Sequence, residues 1–163
     1  MHKTGSSSLQ RVFSRNRWVL ALAGIHYWAP KTGAFKRASK ATDLYSAITH
    51  EASGQGPHPQ FGPAEKILEA IAERGKRQTV LVSAEGLSGQ DPAYSRAFAL
   101  LKGQVQVVLY LRRQDHWVES FYRQMVRSME VAERRPFEAF LADPWTNAHL
   151  DFLALADRWA DAV

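Results

Sequence analysis

The sequence predicts an α/β fold in which helices flank a parallel sheet. Two short segments, 79–82 and 105–111, are rich in β-branched and apolar residues, as expected of strands that are covered on both faces. A helical segment, 92–102, lies between them. Because strand, helix and strand in this order form the crossover unit of a parallel sheet, we expect the two strands to run in the same direction.

The helices are predicted from apolar residues that recur at helical spacing. Gly24 and Gly75 suit the ends of two of them, and Pro63 opens the helix that follows the irregular segment 53–63. Residues 27–33 are predicted to form a loop. In chain order, the predicted helices cover residues 6–23, 43–52, 64–74, 92–102, 115–133 and 151–162.

The length of 163 residues is enough for one compact core, so we expect a single domain over 1–163. The chain has no cysteine, which excludes disulfides, thiolate zinc sites and cysteine nucleophiles. Its net charge of +5 favours acidic partners, although a solvated basic surface gives the same charge. Without a membrane-length apolar run or a secretory signal, we expect a cytoplasmic protein that binds no membrane.

The start of the chain is unusual for a complete sheet. A helix that begins at residue 6, directly after a Gly-Ser loop, needs a strand before that loop, and only Met1 precedes the loop's first residue. Two predicted strands also make a very small sheet. We therefore expect that the first strand, and the strands after the last helix, lie outside this chain.

Residues 2–8, His-Lys-Thr-Gly-Ser-Ser-Ser, run directly into the first predicted helix. A helix N-terminus presents backbone N–H groups to anions, and Gly5 lets the backbone approach a ligand closely. Lys3 adds a positive charge, and the serines add hydroxyl donors for phosphate or sulfate oxygens. This is not the ATPase phosphate loop, because no glycine precedes Lys3 at the required spacing. A serine-capped helix is the alternative interpretation.

A second group of polar residues follows the predicted strand 105–111. Arg112 comes directly after the strand, and Ser120 lies eight residues later. An arginine at the carboxyl end of a parallel strand is placed where open α/β sheets bind ligands, and its planar guanidinium suits a phosphate. If Asp115 begins the helix, Ser120 is about one turn inside it and faces the same ligand. An arginine-rich helix start capped by Asp115 is the alternative.

Together, the two groups resemble the motifs of sulfotransferases that use 3′-phosphoadenosine 5′-phosphosulfate (PAPS). The run Lys3-Thr4-Gly5-Ser6-Ser7 is similar to the family's Lys-Thr-Gly-Thr-Thr loop, with serines in place of two threonines. Arg112 and Ser120 have the spacing of its 3′-phosphate site. Arg113-Gln114 departs from the Asn/Asp-Pro that often follows the arginine. The resemblance is to bacterial-type, carbohydrate-sulfotransferase-like members and is weakest over residues 30–65.

The resemblance implies a P-loop-like sheet and an enzyme that transfers a sulfuryl group from PAPS to a hydroxyl or amine, without a metal. The implied acceptor is a carbohydrate or small metabolite, and adenosine 3′,5′-bisphosphate is released. Lys3 would stabilise the leaving phosphate, and Glu85, which follows the strand 79–82, would take the acceptor's proton. The residues implied to bind PAPS are Lys3, Thr4, Gly5, Ser6, Ser7, Ser8, Arg112 and Ser120.

Other interpretations of these residues stay open. The chain could be a non-catalytic or decayed nucleotide-binding fragment, or a P-loop nucleotide kinase, although the missing glycine argues against a kinase. Glu85 could be a solvated surface charge. Scattered basic residues without an RNA-binding signature argue against a nucleic-acid partner, and the histidines lack metal-ligand spacing. We predict that four side chains belong to the core rather than to a base-stacking surface: Trp117, Phe121, Tyr122 and Met125.

Overall fold

The structure, a computed structural model, describes residues 5–30, 38–89, 91–129 and 131–163. It is a mixed α/β structure in which helices surround a small parallel sheet. The helices are α1 (Ser6–Arg15), α2 (Arg17–Leu22), α3 (Thr42–Ala52), α4 (Ala64–Gly75), α5 (Ala93–Ala97), α6 (Gln114–Arg127), α7 (Phe137–Leu141), α8 (Pro144–Leu150) and α9 (Phe152–Ala162). The strands are β1 (Ile25–Trp28) and β2 (Thr79–Val82), and 3₁₀ turns form at Glu85–Ser88 and Phe98–Leu101.

The sheet pairs β1 and β2 in parallel, with Ile25 opposite Thr79 and Trp28 opposite Val82. Aromatic and β-branched side chains favour the extended backbone in both strands. Gly24 ends α2 in the left-handed conformation, with φ 73°, and this turn directs the chain into β1. The α/β class and the presence of a parallel sheet are therefore confirmed. The prediction of a loop over residues 27–33 was wrong at Tyr27 and Trp28, which belong to β1, and its residues 31–33 lie outside the described residues.

The predicted strand over residues 105–111 is not part of the sheet that the described residues form. Its side chains still alternate as in a strand: Val107 and Leu109 pack against the core, whereas Val108 and Tyr110 are exposed. The segment has the local composition of a strand, but no described strand lies beside it to complete a hydrogen-bonded ladder. This strand prediction was wrong, and the pair of strands differs from the predicted pair.

The predicted helices form, with changes at their boundaries. The helix predicted over 6–23 is interrupted at Asn16, whose side-chain amide donates to the Val12 carbonyl at 2.8 Å and competes with the helical backbone. The helix predicted over 92–102 is α5 followed by a 3₁₀ turn. The one predicted over 115–133 is α6, which ends where Ser128 adopts an extended ψ of 123°.

The apolar side chains form two clusters. The first core lies between β2, α3, α4, α5 and α9, and it includes Leu44, Leu68, Phe98, Leu155 and Trp159. The second core joins α6 to α7 and α8 through Trp117, Val118, Phe121 and Phe140, with Tyr122 and Met125 packed against it. The predicted core role of the apolar side chains of α6 is therefore confirmed. One face of α6 is buried in the second core, and its opposite face is exposed.

Candidate functional site

We call residues 2–8 the serine loop; two of its residues, Ser6 and Ser7, contact Glu85 in the structure, although they lie far from it in the sequence. Gly5 precedes α1 with a φ of 87°, and its carbonyl accepts a hydrogen bond from the Ser8 amide at 3.0 Å. The hydroxyls of Ser6 and Ser7 both donate to Oε1 of Glu85, the Ser7 bond measuring 2.9 Å. Two hydroxyls in the first turn of α1 thus already donate to a carboxylate oxygen. Lys3 and Thr4 lie outside the described residues.

A second contact ties α1 to the carboxyl end of β2. Gln10 is buried, with 3% of its surface exposed, and its Nε2 donates to Ser83 Oγ at 3.2 Å. Ser83 directly follows β2, two residues before Glu85. The Tyr27 hydroxyl donates to the Ser39 carbonyl at 2.6 Å, and burial raises the pKa of Tyr27. Because Gln10 is buried, its bond to Ser83 helps to fix the position of α1 against the segment that carries Glu85.

The 3₁₀ turn that carries Glu85 packs against an aromatic pair. The Tyr45 ring lies over Gly86 so closely that a methyl group at Gly86 would overlap it. Tyr45 in turn stacks on Tyr94, with ring centroids 5.6 Å apart. Only glycine fits between the turn and this ring. Residue 86 therefore sets the position of its neighbour Glu85.

We expect Gly86→Ala to destabilise the fold and to displace Glu85. Inserting a methyl group into a packed contact typically costs about 1–3 kcal/mol of unfolding free energy. Gly75→Ala is the matched control, because no heavy atom lies within 4 Å of a methyl group there and its φ is not positive. That change should leave stability equal or raise it by up to about 1 kcal/mol. Urea denaturation of both variants measures the difference, and equal midpoints would contradict the packing argument.

Arg112 and Ser120 line a common cavity of about 590 Å³ on the exposed face of α6. The volume lies in the range of small-molecule sites. Most of the lining side chains are basic or carry hydroxyl or amide groups, and they include Arg112, His116, Ser120, Gln124, Arg127 and Ser128. The structure therefore brings together the two residues that the sequence predicts to bind one phosphate.

The neighbouring Arg113 has a different role. Its Nε donates to Asp115 Oδ1 at 2.8 Å, and its second guanidinium nitrogen bonds the other carboxylate oxygen. These bonds hold the pKa of Asp115 below its usual range. Asp115 lies in the first turn of α6 without capping it, so the alternative that Asp115 is an N-cap does not apply. Of the two adjacent arginines, Arg112 is the one that faces the cavity.

The described residues form two separate groups of site residues. The part of the serine loop that the structure describes, Gly5 to Ser8, does not contribute to the lining of the α6 cavity. Sequence reasoning also missed Arg127 and Ser128, which line the far end of this cavity. The sequence does contain a signal for Ser128, because it lies eight residues after Ser120, which is two helical repeats of four residues. Within the described ranges, no three His, Cys, Asp or Glu side chains are grouped as metal ligands.

No family model, no curated protein and no solved structure was found to match the chain. Among the helices of the described ranges, none has both the length and the apolar character that crossing a membrane requires.

Proposed function

We propose that the chain binds PAPS on a P-loop-like sheet and transfers the sulfuryl group to a hydroxyl or amine of a carbohydrate or small metabolite. The observation that carries the proposal is the pair of hydrogen bonds from Ser6 and Ser7 to the Glu85 carboxylate. These residues are far apart in the sequence, and the sequence predicts that they belong to one site. Their meeting supports a loop that binds anionic oxygens beside a carboxylate base.

The donor groups present fit a nucleotide with two phosphate positions. Ser6 and Ser7 donate to an anionic oxygen at the N-terminus of α1, where the helix dipole also favours negative charge. Arg112 and Ser120 supply a guanidinium and a hydroxyl in one cavity, as a 3′-phosphate requires. The net positive charge of the chain favours the same class of ligand.

In the proposed reaction, each residue acts on a different atom. PAPS supplies the sulfuryl group: as the acceptor's oxygen or nitrogen bonds to sulfur, the bond from sulfur to the 5′-phosphate oxygen breaks. Glu85 takes the proton that the acceptor loses. Ser6 and Ser7 orient the anionic oxygens next to that carboxylate, and Lys3, assigned from the sequence, neutralises charge on the leaving phosphate. Arg112 and Ser120 hold the 3′-phosphate and thereby fix the nucleotide.

Calorimetry tests the nucleotide assignment. We expect adenosine 3′,5′-bisphosphate to bind about ten- to a hundredfold more tightly than AMP, because a hydrogen bond to a charged group is worth about 1.5–3 kcal/mol. Arg112→Gln should remove this preference. Arg134→Gln is the control, since it removes the same charge from an exposed side chain outside the cavity. Equal affinity of the unaltered chain for the two nucleotides would overturn the assignment of Arg112 and Ser120.

A further inference from the structure

The α6 cavity is longer than one phosphate requires. On the exposed face of α6, His116, Ser120, Gln124 and Ser128 recur every four residues and form one row, and Arg127 belongs to the adjacent row. With a rise of 1.5 Å per residue, the seven steps along the helix from Ser120 to Arg127 span about 10 Å. The proposed 3′-phosphate site uses only the end near Ser120. We call the other end, lined by Gln124, Arg127 and Ser128, the distal end.

The distal end carries a cation that has no acidic partner among the described residues. The guanidinium of Arg123, which also lines the cavity, donates to Glu119 at 2.6 Å, and this bond offsets its charge. Arg113 is paired with Asp115 in the same way. Arg127 makes no ion pair or hydrogen bond with another side chain in the part of the chain that the structure describes. Its charge is therefore available to a ligand in the cavity.

Neutral donors accompany this cation. The Ser128 hydroxyl oxygen accepts a hydrogen bond from the Val131 amide at 3.3 Å, which leaves its own proton to donate. Gln124, which precedes Ser128 in the same row, also lines the cavity and carries an amide group. A guanidinium with a hydroxyl and an amide donor is the chemistry that binds a carboxylate, sulfate or phosphate group. The same three types of donor would bind a neutral hydroxyl only weakly.

We infer that the distal end is a second anion-binding subsite, so that the α6 cavity binds two anionic groups about 10 Å apart. The inference deepens the proposed function, and its link to the acceptor rests on that function. The first anion is then the nucleotide's 3′-phosphate, and the second is an anionic group carried by the acceptor. The favoured acceptors are thus acidic molecules. A single molecule that carries both anionic groups should bind the cavity more tightly than a molecule that carries either group alone.

The test uses two probes that differ only in the second anion. Hexamethylene bisphosphate is a saturated chain with a phosphate at each end, and hexyl phosphate is the same chain with one phosphate. We expect the bisphosphate to bind at least about tenfold more tightly in calorimetry, since a second charged hydrogen bond is worth about 1.5–3 kcal/mol. Arg127→Gln should abolish this gain while the affinity for hexyl phosphate stays within about twofold.

Two further variants make the result decisive. Arg112→Gln should weaken both probes, and Arg134→Gln, with the same loss of charge outside the cavity, should weaken neither. Equal affinity for the two probes, or a gain that survives Arg127→Gln, would overturn the second subsite. Binding of adenosine 3′,5′-bisphosphate, compared with binding of AMP, shows whether the second subsite or the proposed function is wrong. If that nucleotide binds no better than AMP but Arg127 still carries the gain, the nucleotide assignment fails and the second subsite stands.

Discussion

Glu85→Gln should lower the rate of sulfuryl transfer from PAPS by about 10²- to 10⁴-fold, the contribution that a positioned base typically makes. The amide keeps the shape of the side chain but cannot take the acceptor's proton. Affinity for adenosine 3′,5′-bisphosphate should not fall, because the change also removes a negative charge that lies against Ser6 and Ser7. Transfer of radiolabelled sulfate at saturating acceptor, together with calorimetry, measures both quantities.

The matched control for this variant is Glu69→Gln, on the exposed face of α4. It removes an identical charge away from both groups of site residues and should leave the rate unchanged. A Glu85→Gln variant with near-normal turnover would show that another group accepts the proton, with Ser83 and His116 the next to test. Binding of the bisphosphate without turnover in the unaltered chain would instead favour a non-catalytic nucleotide-binding protein.

Trp117→Ala should cost about 3–5 kcal/mol of unfolding free energy, the usual cost of removing a large aromatic side chain from a core. Trp117 is 1% exposed and stacks on Phe121, with ring centroids 4.9 Å apart. Because single domains are stable by only about 5–15 kcal/mol, this loss is a large share of the total. Urea denaturation followed by circular dichroism measures it.

Trp18→Ala provides the comparison on a surface. Trp18 is 67% exposed on α2, so the same truncation there leaves no buried cavity. Its effect should stay within about 0.5 kcal/mol. If Trp117→Ala and Trp18→Ala gave the same denaturation midpoint, the second core would not contribute to the stability of the fold as its packing indicates.

The helices were predictable because their signals are local. α3 and α4 follow from apolar spacing within each segment, and Gly75 ends α4 as expected. β1 was missed because its partner lies more than fifty residues away, at Thr79–Val82. Residues 105–111 were predicted as a strand for the opposite reason, since composition does not show whether a neighbouring strand exists. The start of α8 is also marked in the sequence, because Asp143 is its N-cap and Pro144 is its first residue.

The candidate site was predictable in its composition but not in its contacts. The expectation that Glu85 follows β2 and lies near the serine loop agrees with the structure. The direct bonds from Ser6 and Ser7 to Glu85 depend on how the side chains pack, which sequence spacing does not encode. The distal end of the α6 cavity was not predicted, because the motif that indicates a phosphate site on this helix extends only to Ser120.

The order in which the two cores can form follows from where their residues lie in the chain. Every member of the second core comes from residues 117–150, so that cluster can assemble from contacts between near neighbours in sequence. The first core needs Trp159, whose ring packs edge-to-face on Phe98 at 5.2 Å. During synthesis from the N-terminus, the Phe98 ring therefore lacks its contact with Trp159 until α9 has left the ribosome. The first core is thus completed last, although most of its residues are made first.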